Sequence, residues 1–409
     1  MSKNTHLEHL EDSIILDGQS GAKDAFIFLD DLARSFSGKS TSNFTVTTKW
    51  DGAPAVFCGN YPGSKSFFVG TKSVFNVDAK VNFTPADIKR NHGHAPGLVE
   101  KLEASLTYLP ALGIKGMAQG DLLFTNDKKT EVIDGIKHIT FKPNTITYAI
   151  PEGDELYDKA KKAKLGVVFH TTYTGSTMGT MNATFGYDVS KLNKSNDVLV
   201  LSAEIGSLGK NVLLTEVEKN KLIKLKQSSN RLLSNAGSFL DEIASQIEAK
   251  DQLTVGPRLK IFFNKYVREG KSVPASGKFV KEFTSYFEGE VKKAVDKVKT
   301  PKAKATKLAK LYAGVQFIED NINALKSTSE LYKVIQSAKE MFITKLETGE
   351  RIGTYLRTED GLEVTSPEGY VAIKIGQGAT KLVNRLKFSQ ANFKKDTLPT
   401  KKWVEGNGS

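Results

Sequence analysis

The sequence predicts an α+β chain in which a β-rich domain of antiparallel sheets with flanking helices is interrupted by an all-helical module. Three observations carry that expectation. Strand-like runs dominate before about residue 190, helical spacing takes over from 213 to about 345, and strand patterns return near 353. Taken in order, residues 7–32 read as helical, with Leu10, Ile14 and Ile15 before a glycine break at 18–21 and Ala25, Phe26, Leu29, Leu32 and Ala33 after it. Short strands are expected over 45–49, 55–58 and 67–72, the last two separated by a turn containing Pro62 and Gly63. Leu98, Leu102 and Leu106 repeat every fourth residue and predict a helix over 97–109; strands are then expected over 116–124, 138–141, 146–150 and 165–172. Farther on, Ile318, Ile322 and Leu325, then Leu331, Ile335 and Met341, keep helical spacing, with breaks at Gly256-Pro257, 270–277 and Thr300-Pro301. Strands over 355–357, 369–375 and 381–388 return to the β domain. The expected division is therefore 1–212 for its first part, 213–350 for the inserted helical module, 351–393 for its second part and 394–409 for a short tail.

Composition is that of an ordinary soluble globular protein: 409 residues, 39% hydrophobic and 25% charged. No stretch approaches the roughly 18 apolar residues of a membrane span, and the polar start Met1-Ser2-Lys3-Asn4 lacks a signal-peptide pattern, so a cytoplasmic protein without a membrane partner is expected. The single cysteine, Cys58, can form no intrachain disulfide and reads as a packed strand residue. A formal charge of +12 favours polyanionic partners, since a basic surface gains affinity by releasing their condensed counterions. Simple solubility is the plainer reading of the same charge.

The chemistry-bearing feature is Lys49-Trp50-Asp51-Gly52, which closes the β-branched run Thr45-Val46-Thr47-Thr48. A lysine amine attacks well only when neutral, which needs desolvation or cationic neighbours, and a glycine lets backbone approach a ligand closely. On its own such a string is more often a salt-bridged turn. Farther along come Gln119-Gly120-Asp121-Leu122-Leu123-Phe124, Gly166-Val167-Val168-Phe169-His170-Thr171, Glu368-Gly369-Tyr370-Val371 and Arg385-Leu386-Lys387-Phe388. In that order the five strings resemble the nucleotidyltransferase motifs shared by ATP-dependent DNA and RNA ligases and mRNA-capping guanylyltransferases. Their wording is most similar to ligase-like proteins of large tailed phages, which would place the chain in a host cytoplasm. The resemblance covers residues from about 45 to 190 and from about 365 to 393.

What the resemblance implies is specific. Lys49 would take AMP onto its side-chain nitrogen, Trp50 would lie in the nucleotide site and Gly52 would give the nucleotide room. Lys72 would touch its sugar or phosphate end, and Phe169 would stack on the purine. Asp121, where the family usually has Glu, would bind the ribose or a magnesium-held water, and Glu368 would be the metal-associated acid for Mg2+ or Mn2+. Arg385 and Lys387, alternating on one expected strand face, would neutralise the α-phosphate of ATP. Lys374 stands six residues after Glu368 where the family has a lysine at five, a slip that reverses the facing side unless a bulge restores it. His170 departs from the usual Asp and receives no proton-transfer role.

Other patterns are weaker. His92-Gly93-His94 reads as a loop, Gly376-Gln377-Gly378 as a hairpin turn, and Phe141-Lys142-Pro143-Asn144-Thr145-Ile146 as a shaped loop without evident chemistry. Residues 291–314 hold Lys292, Lys293, Lys297, Lys299, Lys302, Lys304, Lys307 and Lys310 against the single acid Asp296, a run able to track a phosphate backbone. Phe262, Phe263, Tyr266, Phe279, Phe283, Tyr286 and Phe287 read as module core. The expected function is an ATP-dependent polynucleotide ligase. The sixteen residues after Phe393 are too few for the OB domain of typical DNA ligases, which favours RNA over DNA as substrate. A DNA nick-sealing ligase, a non-catalytic nucleic-acid-binding protein and an enzyme that passes AMP to another acceptor remain alternatives.

Overall fold

The computed structural model describes residues 9–36, 44–203, 213–349, 352–374 and 378–387. In chain order the strands are β1 (Phe44–Thr48), β2 (Ala55–Asn60), β3 (Phe67–Gly70), β4 (Met117–Phe124), β5 (Lys129–Ile133), β6 (Ile136–Phe141), β7 (Ile146–Pro151), β8 (Leu165–Thr174), β9 (Asn182–Phe185), β10 (Val198–Ser202), β11 (Gly353–Thr358), β12 (Gly361–Val364), β13 (Tyr370–Lys374) and β14 (Gly378–Leu382). The helices are α1 (Ser13–Leu16), α2 (Gly18–Ser35), α3 (Pro85–His92), α4 (Pro96–Tyr108), α5 (Tyr157–Lys162), α6 (Glu216–Glu248), α7 (Val255–Arg268), α8 (Ser276–Asp296), α9 (Pro301–Asp320) and α10 (Ile322–Glu347). The fold is α+β, with three sheets ordered β1-β13-β14, β10-β8-β4-β2-β3 with β9 beside β8, and β12-β11-β7-β6-β5. Pairing is antiparallel apart from β10 with β8, which run parallel.

The smallest sheet positions Lys49, which follows its first strand. It joins the first strand to two of the last, with Thr47 opposite Val371 and Val371 opposite Lys381. Because side chains alternate along a strand, one face of this sheet carries Thr47, Val371, Ile373 and Lys381, while Val46, Tyr370, Ala372 and Leu382 point the other way. The second set is buried in one continuous apolar core with α1, α2 and α6 to α10. The helical segment is thus the floor beneath the sheet that carries Lys49, and the N-terminal helices pack with it.

Local sequence explains these helices. Thr215 and Glu218 form a capping box that starts α6, Thr215 Oγ1 accepting from the Glu218 amide at 3.3 Å and the Thr215 amide donating to Glu218 Oε2 at 2.7 Å. Inside, Phe279, Phe283 and Phe287 are fully buried and Phe263 stacks on Tyr332 with ring centroids 4.3 Å apart. Each such buried ring contributes roughly 1.5–3 kcal/mol through the water it leaves, so these aromatics serve packing. No described helix is long and apolar enough to cross a membrane.

Two largely buried ion pairs tie Glu11 and Asp12 to the helical segment and to the stretch after β14. Glu11 accepts from Lys339 of α10 through both carboxylate oxygens at 2.7 Å, and Asp12 accepts from Arg385 at 2.8 Å. The strand expected over 381–388 stops at Leu382, and residues 385–387 turn helically so that Arg385 reaches these partners.

Candidate functional site

Lys49 leaves β1 beside Glu368, which leads into β13. Its amide donates to the Gly369 carbonyl at 2.8 Å, and its ammonium pairs with Glu368 Oε1. Gly369 takes φ +137°, and a Cβ there would lie 2.7 Å from the Leu382 carbonyl oxygen, so glycine is what lets the chain turn Glu368 toward the lysine. Between this sheet's outer face and strands β4 and β8 lies a cavity of about 160 Å³, whose polar lining includes Lys49, Trp50, Asp121, His170 and Lys381. Burial lowers the Lys49 pKa from 10.5 to about 8; Asp121 and Asp51 oppose that shift and the Lys381 charge assists it.

Asp51 points away from solvent and holds the loop that carries Lys49. It is 4% exposed and accepts from Asn144 Nδ2 at 2.8 Å and from the amides of Thr145 and Ile146 at 2.7 and 2.8 Å. The Asp51 amide in turn donates to Tyr148 Oη at 2.7 Å. The segment 141–148, chemically mute as sequence, is therefore the clamp on the Lys49 loop. Gly52 passes directly over β4: a Cβ there would meet Asp121 Cβ at 2.4 Å. In this structure the glycine makes room for the protein's own Asp121, where the motif suggested room for nucleotide.

Asp121 lies opposite Val168 on β8, and its Oδ2 is 3.5 Å from His170 Nε2. His170 Nδ1 is 2.8 Å from Thr171 Oγ1. Alternation along β8 puts Val168 and His170 in the cavity wall and turns Phe169 to the opposite face, where it is 1% exposed in an apolar cluster against Tyr187. Phe169 is a core residue here, and the aromatic rings at the cavity are Trp50 and Phe185 of β9. Trp50 packs on Tyr148 with ring centroids 4.8 Å apart, and its buried Nε1 has no hydrogen-bond partner among the described residues.

The other expected residues lie elsewhere. Lys72 is exposed on a turn after β3 and is not part of the cavity wall. Arg385 is bound to Asp12, Tyr332 and Asn264 at the helical core, and the exposed Lys387 ammonium donates to Ser366 Oγ at 3.5 Å. Neither faces the cavity, because the strand that was to alternate them inward ends before they begin. Lys374 pairs through its backbone with Phe44 at the edge of β13, and its side chain lies outside the described residues. Lys381, which no motif singled out, supplies the cavity's second cation.

A family model described as a family of unknown function (DUF6267) matches residues 4–397. The chain belongs to the DUF6267 family. No curated protein and no solved structure matches it. The matched span runs across both β parts and the helical segment between them, so the composite core described above falls within a single DUF6267 unit.

Among the described residues no three His, Cys, Asp or Glu side chains gather to hold a metal. Near Lys49 this DUF6267 chain instead offers two carboxylates, Asp121 and Glu368. Such a pair suits a hard cation that arrives with phosphate oxygens as its other ligands and does not suit a caged structural ion.

Proposed function

We propose that the chain is a covalent nucleotidyltransferase of the polynucleotide-ligase kind, with Lys49 as nucleophile. The observation that carries this reading is a lysine whose pKa is lowered to about 8 at a cavity that also holds Lys381, Asp121 and His170. In the reaction, the neutral Lys49 amine attacks the ATP α-phosphorus. A P–N bond forms, the bond to the pyrophosphate oxygen breaks, and the amine loses a proton. AMP then passes to a polynucleotide 5′-phosphate, and a 3′-hydroxyl displaces it. Lys381 takes the charge-neutralising place that the motifs gave to Arg385 and Lys387. Bound Mg2+ or Mn2+ supplies further neutralisation of the phosphate oxygens, with Glu368 and Asp121 the residues to hold it. Trp50 Nε1, which has no hydrogen-bond partner among the described residues, offers a donor to the nucleotide.

Nucleic acid is the proposed partner, with RNA the first polymer to test and DNA its comparison. Within the basic run, Lys292 and Lys293 are paired with Glu288 and Glu290, Lys310 with Asp251, and Lys307 donates to the Ala294 carbonyl. The exposed Lys297, Lys299, Lys302 and Lys304, around the turn from α8 to α9, have no ion pair among the described residues and are the ones left to meet phosphates.

The test is transfer of label from α-phosphate-labelled ATP to the protein with Mg2+, with GTP and NAD as alternative donors and Lys49→Ala in parallel. An acid-labile adduct formed with ATP and absent from Lys49→Ala is the expected result. No adduct from any donor, on folded protein free of pre-bound AMP by intact mass, overturns the enzymatic reading. That outcome would favour a nucleic-acid-binding protein, which the displacement of Arg385 and Lys387 from the cavity also favours.

A further inference from the structure

A second concavity, of about 390 Å³, lies where the end of α5 meets the segment leading into β10. Its rim carries Lys159 and Lys162 from α5 and Lys194 from the β10 approach, against one carboxylate, Asp158. All three lysines are exposed, and none has an ion pair among the described residues. Nearby, Lys191 is paired with Asp188, and Lys128 is drawn onto the carbonyls of Ala160, Lys161 and Ala163. The amides of Asn193 and Asn196 add neutral donors, and the floor is apolar, formed by Leu112, Leu192 and Val198.

We infer that this cleft is a binding site for a single-stranded polynucleotide backbone. The cationic rim answers the phosphates, and the apolar floor accommodates bases turned inward. Its place in the fold favours a polymer over a small anion. β10 is the outer strand of its sheet; its start lines the cleft, and Ala203, just past its end, lines the Lys49 cavity. At about 3.3 Å per residue, Val198 to Ala203 spans about 17 Å, so a strand of a few nucleotides seated in the cleft can extend along β10 to the lysine. The inference deepens the ligase reading by naming where its polymer lies, but it stands on binding and not on the covalent step.

The experiment is fluorescence anisotropy of a labelled 12-nucleotide single-stranded RNA, titrated with the full chain at several KCl concentrations. The protein carrying Lys159→Gln, Lys162→Gln and Lys194→Gln is compared with a charge-matched control, Lys65→Gln, Lys221→Gln and Lys224→Gln. Three lost phosphate contacts reduce the slope of log K against log[KCl] by about two, at about 0.7 per contact on a single strand, and weaken binding at least tenfold at low salt. The control variant binds like wild type, and label transfer from ATP is unchanged in both. Equal effects of the two triple variants, or no binding of RNA or DNA by wild type, overturns the proposal. Failure of label transfer alone strikes the covalent reading and leaves the cleft as it is.

Discussion

Lys49 and Glu368 form an ion pair across 319 residues of chain, and the backbone beside them is hydrogen bonded as well, Lys49 amide to Gly369 carbonyl at 2.8 Å. The contact welds the first β part to the second, and it holds the amine at a cavity where burial dominates its protonation. A lysine at its ordinary pKa of 10.5 is neutral in about one molecule in 3,000 at pH 7, whereas at about 8 the fraction is about one in ten.

That shift gives a pH profile. The neutral amine is the reacting form, so the initial rate of label transfer should rise about tenfold between pH 6 and 7, then less than twofold between pH 8 and 9. Lys381→Met removes a cation that holds the Lys49 pKa down, so it should move the profile to higher pH and slow the step at pH 7. A rate flat from pH 6 to 9, with chemistry shown to be limiting, would mean that Lys49 deprotonation does not control the reaction.

Gly52 is expected to tolerate no side chain. A Cβ at this position would lie 2.4 Å from Asp121 Cβ, and both are short, stiff groups with no flexible end to swing away. Gly52→Ala should lower stability by about 1–3 kcal/mol, as overpacking does, and abolish adduct formation by lifting the Lys49 loop from β4. Gly179→Ala, where a Cβ meets nothing within 4 Å, is the matched control. Thermal melts and label transfer on the two variants decide it; wild-type behaviour of Gly52→Ala would show that the loop can move without consequence.

Asp51 and Tyr148 should separate clamp from chemistry. Asp51→Ala strands three donors in a buried place and is expected to cost on the order of 3 kcal/mol, whereas Asp51→Asn keeps an acceptor and costs less. Tyr148→Phe removes the hydroxyl that accepts from the Asp51 amide, a loss of about 1 kcal/mol. Urea unfolding midpoints give the order Asp51→Ala, Asp51→Asn, Tyr148→Phe from most to least destabilised. Any other order would place the carboxylate's main role outside this clamp.

Much of this was legible in the chain, and the reasons for the rest are physical. Periodicity placed the helical segment, β1, β4 and β8, because their apolar faces repeat with the local geometry. The α3 start at Thr84, with its Thr84-Asp87 capping box, carried a readable signal that the patterning overlooked. At the site, the motif residues Lys49, Asp121 and Glu368 are far apart in sequence, and the fold brings Asp121 and Glu368 to Lys49. Motif spacing misplaced Phe169 because strand alternation, once Asp121 and His170 face the cavity, sends Phe169 to the core. Arg385 was misplaced because its pull toward Asp12, Tyr332 and Asn264 is a tertiary matter. Lys381 shows as a cavity residue only once β14 is registered against β13.

The Glu11 and Lys339 pair tests whether the helical segment truly underpins the Lys49 sheet. Both side chains are almost wholly buried, at 0% and 2% exposure, and their carboxylate and ammonium meet at 2.7 Å. Removing one partner of such a pair leaves a stranded charge, so Lys339→Met should cost about 3–5 kcal/mol, while Glu11→Leu with Lys339→Met exchanges the pair for apolar packing and should recover most of that loss. Since the adjoining turn also supplies Asp12 to Arg385, just beyond β14, the single variant should reduce label transfer along with stability and the double variant should restore both. Urea unfolding and label transfer on the two variants provide the measurement. Stability recovered without label transfer would show that the charge itself, beyond its packing, sets the position of β14 and Lys381.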